Sequence, residues 1–294
     1  MTFIDKLKSV RCQRHVIADN LLDSTNLCAS GARHEINQMW NSYQQLAERD
    51  FPLRFAKDPE AKYWEMYVAC ALRKIGFQVH REQDGPDFWV ESSEGRIWIE
   101  ATVPGPGDSG NPDCVPEPPV NQVSDTPVRQ IVLRLTSAIH DKQMKFRHYQ
   151  RRGIVGQNDR CVIALSAAKL LYPVTTDYIQ RAVYEAGDLY VAIDSTSLKA
   201  VERGRRHEPQ ISKRSSPPFN KPTFLDGSCS HVSALLFGWR GIANTLPILG
   251  SEWVLFHNHK AQNPLTRGWL RKGSEHWVEV DDAFIHLRSQ QWSH

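Results

Sequence analysis

The sharpest constraint on how this chain folds lies in residues 85–104, GPDFWVESSEGRIWIEATVP. Two short apolar runs flank Ser-Ser-Glu-Gly, which predicts a β-hairpin with strands at 87–91 and 96–103. The second strand carries one acid, Glu100, beside Trp98, Ile99 and Ala101, the pattern of a charge on a buried face. A second acid, Asp87, opens the first strand directly after Gly-Pro. A carboxylate in so apolar a strand needs a physical reason.

The elements around the hairpin carry clear signals. Asp58 is a good N-cap, Pro59 suits the first helical position and Gly76 ends the helix they bracket. Within it Trp64, Tyr67, Val68, Ala71, Leu72 and Ile75 recur at helical spacing, with Glu65 at the edge of their stripe. A strand follows at 77–80, then the hairpin, then a loop at 104–127 rich in Pro and Gly. A second long helix is predicted from Thr126-Pro127 to near Gly153. Its stripe runs Val128, Ile131, Val132, Leu135, Ala138, Ile139, Phe146, Tyr149, with Lys142 pointing the same way as Leu135 and Ile139. Strands at 161–166 and 189–194 and a helix at 177–186 complete the order helix, three strands, helix, strand, helix, strand. That order predicts an α/β fold with a central mixed sheet flanked by helices.

Outside this core, residues 1–50 are polar and predicted helical, most clearly at 34–48. Residues 195–228 read as a long loop; 195–222 hold seven Lys or Arg against two Glu. Strand-like runs return at 232–237 and 253–257 in a tryptophan-rich segment. The chain therefore divides into an N-terminal helical extension (1–55), an α/β core (56–195) and a basic, strand-rich C-terminal extension (196–294).

Composition sets limits on function. A charged fraction of 23% and a net charge of +3 fit an ordinary globular protein and permit a polyanionic partner without demanding one. The six cysteines are scattered without a CxxC pair, so neither a zinc ribbon nor a redox motif is supported. The first residues lack the apolar run of a signal peptide, and no apolar run is long enough to span a bilayer. A cytoplasmic, reduced setting with no membrane partner is the expectation.

Two acids on adjacent strands of one hairpin converge on one point, where hard oxygen ligands hold a divalent cation. A lysine two residues after the second acid would share its sheet face. Glu65 in a leading helix, GPDF at 85–88 and IWIEAT at 97–102 together resemble the PD-(D/E)XK nucleases, the restriction-endonuclease-like superfamily. The resemblance spans residues 58–195. It implies a metal-dependent nuclease with Mg²⁺ or Mn²⁺ on Asp87 and Glu100, assisted by Glu65, and with nucleic acid, DNA foremost, as substrate.

Thr102 departs from the pattern, which has lysine there; a hydroxyl brings no positive charge. The resemblance also implies that the lysine can move to another element. An inward lysine at 142 is costly unless paired with carboxylates, so Lys142 is the candidate and Arg134 the second choice. The alternative is a degenerate module that kept the fold for nucleic-acid binding or scaffolding and lost catalysis.

Each residue also has an ordinary reading: Asp87 as a turn residue, Glu100 in a salt bridge, Lys142 snorkelling to solvent, Glu65 on an exposed helix face. The basic tract Lys199, Arg203, Arg205, Arg206, Lys213, Arg214 and Lys221 reads either as a solvated loop or as phosphate contacts, Arg203, Arg205 and Arg206 foremost. The 104–119 loop follows Glu100 and is expected to border the site. His257-Asn258-His259 spells HNH, but three adjacent residues cannot form the dispersed site of that name; Asn258, Asn263 and Pro264 suit a specialised turn. The terminal extensions would supply specificity or homodimer contacts.

Overall fold

The computed structural model describes residues 1–215, 217–244, 248–280 and 285–292. Four helices open the chain: α1 (Phe3–Ser9), α2 (Val16–Leu22), α3 (Ser30–Tyr43) and α4 (Phe51–Lys57). They pack through aromatic rings, Phe3 lying 4.8 Å from both Trp40 and Phe55 between centroids. Helix α5 (Pro59–Lys74) follows, then β1 (Val79–His80), β2 (Phe88–Ser92), β3 (Gly95–Thr102), α6 (Val128–Arg151), β4 (Arg160–Ser166) and α7 (Thr176–Val183). After these come β5 (Ala186–Ile193), β6 (Ala200–His207), β7 (Gln210–Ile211), β8 (Phe219–Asn220), β9 (Ala234–Gly238), β10 (Val254–His257), β11 (Ser274–Val280) and β12 (Ile285–Gln291).

The local signals explain the two long helices. The Asp58 carboxylate accepts the Ala61 N–H at 3.2 Å, Pro59 occupies the first turn, and Gly76 leaves the helix at φ +102°. α6 buries Ile131, Leu135, Ile139 and Phe146 from its predicted stripe.

An eight-stranded mixed sheet runs in the order β1-β2-β3-β4-β9-β10-β11-β12. β3, β4 and β9 are parallel neighbours, and β2 pairs antiparallel with β3. Alternation along the strands feeds two cores. Ile97, Ile99 and Ala101 of β3, with Val162, Ala164 and Leu236, pack on α5 and the N-terminal helices. Trp98, Cys161, Ile163, Leu165 and Phe237 pack on α6 and α7 instead. Trp64 of α5 also donates its indole N–H to the Ala164 carbonyl at 3.0 Å, tying helix to sheet. Each large apolar side chain buried this way contributes about 2 kcal/mol, so a charge placed in either layer must be paired.

Two expectations change. The strand predicted at 189–194 is β5, which pairs with β6 as a separate two-stranded ribbon rather than entering the central sheet. Part of the predicted basic loop is thus β6, with Arg203 opposite Val191 and Arg205 opposite Leu189. The apolar alternation of β5 signals a strand, but Leu189, Val191 and Ile193 are exposed. No helix among the described residues is long and apolar enough to cross a membrane.

Candidate active site

β2 and β3 pair with Phe88 opposite Ile99, and the same register continued by one residue sets Asp87 opposite Glu100. Asp87 does not continue the strand. Its Oδ2 accepts the Ala101 N–H at 2.8 Å, which pins the carboxylate against β3. Glu100 shares the sheet face of Trp98, beneath α6, and is 2% exposed. Its burial is compensated from that helix. Lys142 donates to Oε1 at 2.7 Å and Lys145 donates to the same oxygen at 3.0 Å.

Lys142 is therefore turned inward and paired, with its side chain 15% exposed, whereas that of Lys145 is 54% exposed. Sequence reasoning missed Lys145. Its i+3 spacing from Lys142 was the available signal, since residues three apart lie side by side on a helix. Thr102 is half-buried at the end of β3, opposite Leu165 of β4.

Glu65 lies on α5, in the opposite layer, and is buried rather than on an exposed helix face. Tyr43 donates its hydroxyl to Oε1 at 2.7 Å and Arg81 donates to the same oxygen at 2.9 Å. Lys62 forms an ion pair with Oε2. Arg81 is shared with Glu48 at 2.8 Å. Burial pushes the Glu65 carboxyl up, but Lys62 and Arg81, with the hydrogen bonds from Lys62 and Tyr43, outweigh it and hold Glu65 below its ordinary value. A fixed anion results, held by donors from three elements.

Asp87 behaves oppositely. Burial first, then the charges of Glu100 and Glu65, push its carboxyl from 3.8 up to about 7, with Lys142 and the Ala101 N–H offsetting part of the rise. Burial lowers the Lys145 amine, but Glu100 outweighs it and the amine is raised to about 12. The Tyr149 phenol is raised by burial and by Glu100. The charged form of Asp87 is thus disfavoured first by its burial and then by its acidic neighbours.

The other candidates stand apart from the carboxylates. Arg134 donates Nε to the Gly105 carbonyl at 2.8 Å and braces the 104–119 loop; among the described residues it pairs with no acid of the site. Arg205 pairs with Asp177 at 2.5 Å, while Arg203 and Arg206 are exposed on β6. The HNH segment is structural. Asn258 donates to the Cys229 carbonyl at 3.0 Å and the Val232 carbonyl at 2.7 Å, and Asn263 donates to the Gln157 carbonyl at 2.6 Å.

A metal would have to fit a lean donor set. No group of three or more His, Cys, Asp or Glu suited to a metal occurs among the described residues. Two carboxylates are nevertheless what Mg²⁺ commonly takes from a protein, keeping several waters for its remaining positions. A cation between Asp87 and Glu100 would also relieve the repulsion that raises Asp87. The residues present fit such an ion and do not fit a zinc cage. No protein-family model, curated protein or solved structure matches this chain.

Proposed function

We propose that the chain is a metal-dependent nuclease with a restriction-endonuclease-like core, hydrolysing phosphodiester bonds in DNA at Asp87 and Glu100. The observation that carries this reading is the Lys142 amine on Glu100, at 2.7 Å, supplied by α6 where β3 has only Thr102. Raised acids beside fixed cations mark sites of chemistry more often than sites of mere structure. The order of elements through β4 agrees with the resemblance carried by GPDF and IWIEAT.

Asp87 and Glu100 would hold Mg²⁺ or Mn²⁺, which when bound supplies Lewis-acid activation of the phosphate and of water. Lys142, largely enclosed, holds the attacking water or the phosphoryl oxygen beside Glu100. Lys145, more exposed, meets the negative charge of the incoming phosphodiester and stabilises the charge that develops on it. Glu65 acts as a positioning residue: anchored by Tyr43, Arg81 and Lys62, it raises the negative field at Asp87 and so its demand for a cation.

A second reading has its own observation. Both lysines spend a hydrogen bond on one oxygen of Glu100, which is also how a closed structural ion cluster is built. That arrangement favours a degenerate nucleic-acid-binding module. The deciding experiment incubates the protein with supercoiled plasmid and single-stranded DNA under Mg²⁺, Mn²⁺ or EDTA, beside Asp87→Ala, Glu100→Ala and Lys142→Ala. Metal-dependent cutting lost in all three variants supports the nuclease. DNA binding without cutting supports the module, and cutting that survives both carboxylate changes refutes the proposed site.

A further inference from the structure

Between the 104–119 loop, the first half of α6 and residues 213–215 lies a polar cavity of about 250 Å³. Its walls are held by an unusual carboxylate. Asp113 is buried and accepts from four donors: the Arg129 guanidinium at 2.7 Å, the Arg214 N–H at 3.0 Å, the Ser215 N–H at 3.2 Å and the Ser215 hydroxyl at 2.8 Å. Arg129 donates onward to the Ser212 carbonyl at 2.8 Å, so the loop is clamped to the distant 212–215 segment. The backbone hydrogen bonds from Arg214, then the Arg129 and Ser215 donors, hold Asp113 well below the usual carboxylate range. One anion of the chain itself is thus already welcome in this wall.

The donors facing the remaining space are unspent. Arg134 uses Nε on Gly105, while its two Nη groups have no hydrogen-bond partner among the described residues. The Lys213 ammonium sits 5.0 Å from the Phe219 ring centroid and has no ion pair among the described residues. Ser137 and the amide N–H₂ of Asn111 also line the space, without a partner among the described residues. Against them stands one acid whose side chain has no partner among the described residues, Asp108, exposed at the rim. Two cations and two neutral donors thus face one rim carboxylate, an excess of donors that suits a phosphate.

We infer that this cavity binds a backbone phosphate of the nucleic-acid substrate, flanking the phosphate that is cut. The inference rests on the nuclease reading of the carboxylate site. Arg134 precedes Lys142 by eight residues on α6, so the two positions are separated by about 12 Å along the helix axis. At a rise of about 3.4 Å per nucleotide, that is three to four nucleotides along one strand. The cavity and the carboxylates would then grip one strand at two points, fixing its direction across α6.

The test uses the full chain in EDTA, where binding is read without cutting. Anisotropy of a fluorescent DNA duplex is measured across a salt series for wild type, Lys213→Gln and Ser137→Asp. Lys74→Gln, the same charge change at the exposed end of α5, is the control. Lys213→Gln is expected to weaken binding about tenfold and to lower the log–log salt slope by about one. Ser137→Asp, which adds charge inside the cavity, is expected to weaken it further, and Lys74→Gln to leave it unchanged.

If wild type binds and cuts DNA but Lys213→Gln matches Lys74→Gln, the subsite is overturned and the nuclease reading stands. If Lys213→Gln weakens binding while wild type never cuts, the subsite stands and the central site becomes a binding module. If wild type does not bind DNA, both readings fall.

Discussion

Replacing Asp87 by Asn should make the metal-free protein more stable at pH 8, against the usual effect of altering a half-buried, hydrogen-bonded residue. Asn keeps the size of the side chain and a carbonyl oxygen to accept the Ala101 N–H, so packing and hydrogen bonding survive. What it removes is a charge the fold resists. In the folded chain the Asp87 carboxyl sits at about 7 against an ordinary 3.8, raised by burial and by Glu100 and Glu65. An acid raised on folding makes the folded state bind more protons than the unfolded state between those two values. Stability from this group is thus highest below about pH 4, falls as pH rises, and levels off above about 7. A gap of about three units at 1.36 kcal/mol each sets a ceiling of about 4 kcal/mol on the penalty at pH 8. Relaxation and water entry reduce such penalties, so a gain of about 2 kcal/mol for Asp87→Asn is the working expectation.

Urea denaturation of both proteins in EDTA, from pH 4 to pH 8, reads this directly. The difference should be near zero at pH 4, grow as pH rises and level off above about pH 7. Adding Mg²⁺ at pH 8 should reverse the order, because an ion at 100 times its Kd stabilises wild type by about 2.7 kcal/mol and the variant lacks one of its ligands. A variant that is less stable in EDTA at pH 8, or a difference that ignores pH, would refute the claim that Asp87 is an anion held against repulsion.

The remaining expectations concern neighbouring groups. Lys142→Met should lower kcat for plasmid cleavage about a hundredfold, while Lys145→Met, removing the more exposed amine, should act mainly on KM; steady-state kinetics separates them. Glu65→Ala strands Arg81 and Lys62 in a partly buried network and should destabilise by about 3 kcal/mol in urea titrations. Asn258→Ala leaves the buried Cys229 and Val232 carbonyls without their donor, and should cost about 2 kcal/mol while leaving the cleavage rate of folded protein unchanged. A lower cleavage rate in folded Asn258→Ala would instead give the HNH segment a functional role.

The parts of the fold that sequence revealed are those governed by neighbours in the chain. The Asp58 cap, the Pro59 start and the stripes of α5 and α6 are local, and so is the alternation that buries Glu100 on the face beneath α6. Lys142 could be placed because helical geometry alone turns it inward beside Leu135 and Ile139. The rest depended on distant partners. β6 contains Glu-Arg-Gly-Arg-Arg and has no apolar alternation, so only its pairing with β5 makes it a strand. β11 and β12, rich in polar residues at the edge of the sheet, were invisible for the same reason. Nothing local to Glu65 announces that Tyr43 of α3 and Arg81, just after β1, will close around it.

The alternation along β3 has a consequence for how this protein can vary. Glu100 meets the lysines of α6 because it shares a face with Trp98, while Ile99 and Ala101 turn towards α5. Losing one residue between the turn at 92–95 and Glu100 would shift that acid across the sheet, into an aromatic and aliphatic layer whose Lys62 and Arg81 are already paired with Glu65. Such a deletion would remove the site and unsettle the core in one step. Length changes at the tip of the turn leave the parity of β3 untouched. Natural variants of this chain should therefore tolerate insertions and deletions at 92–95 and almost none between there and Thr102, whatever residues they substitute along the strand.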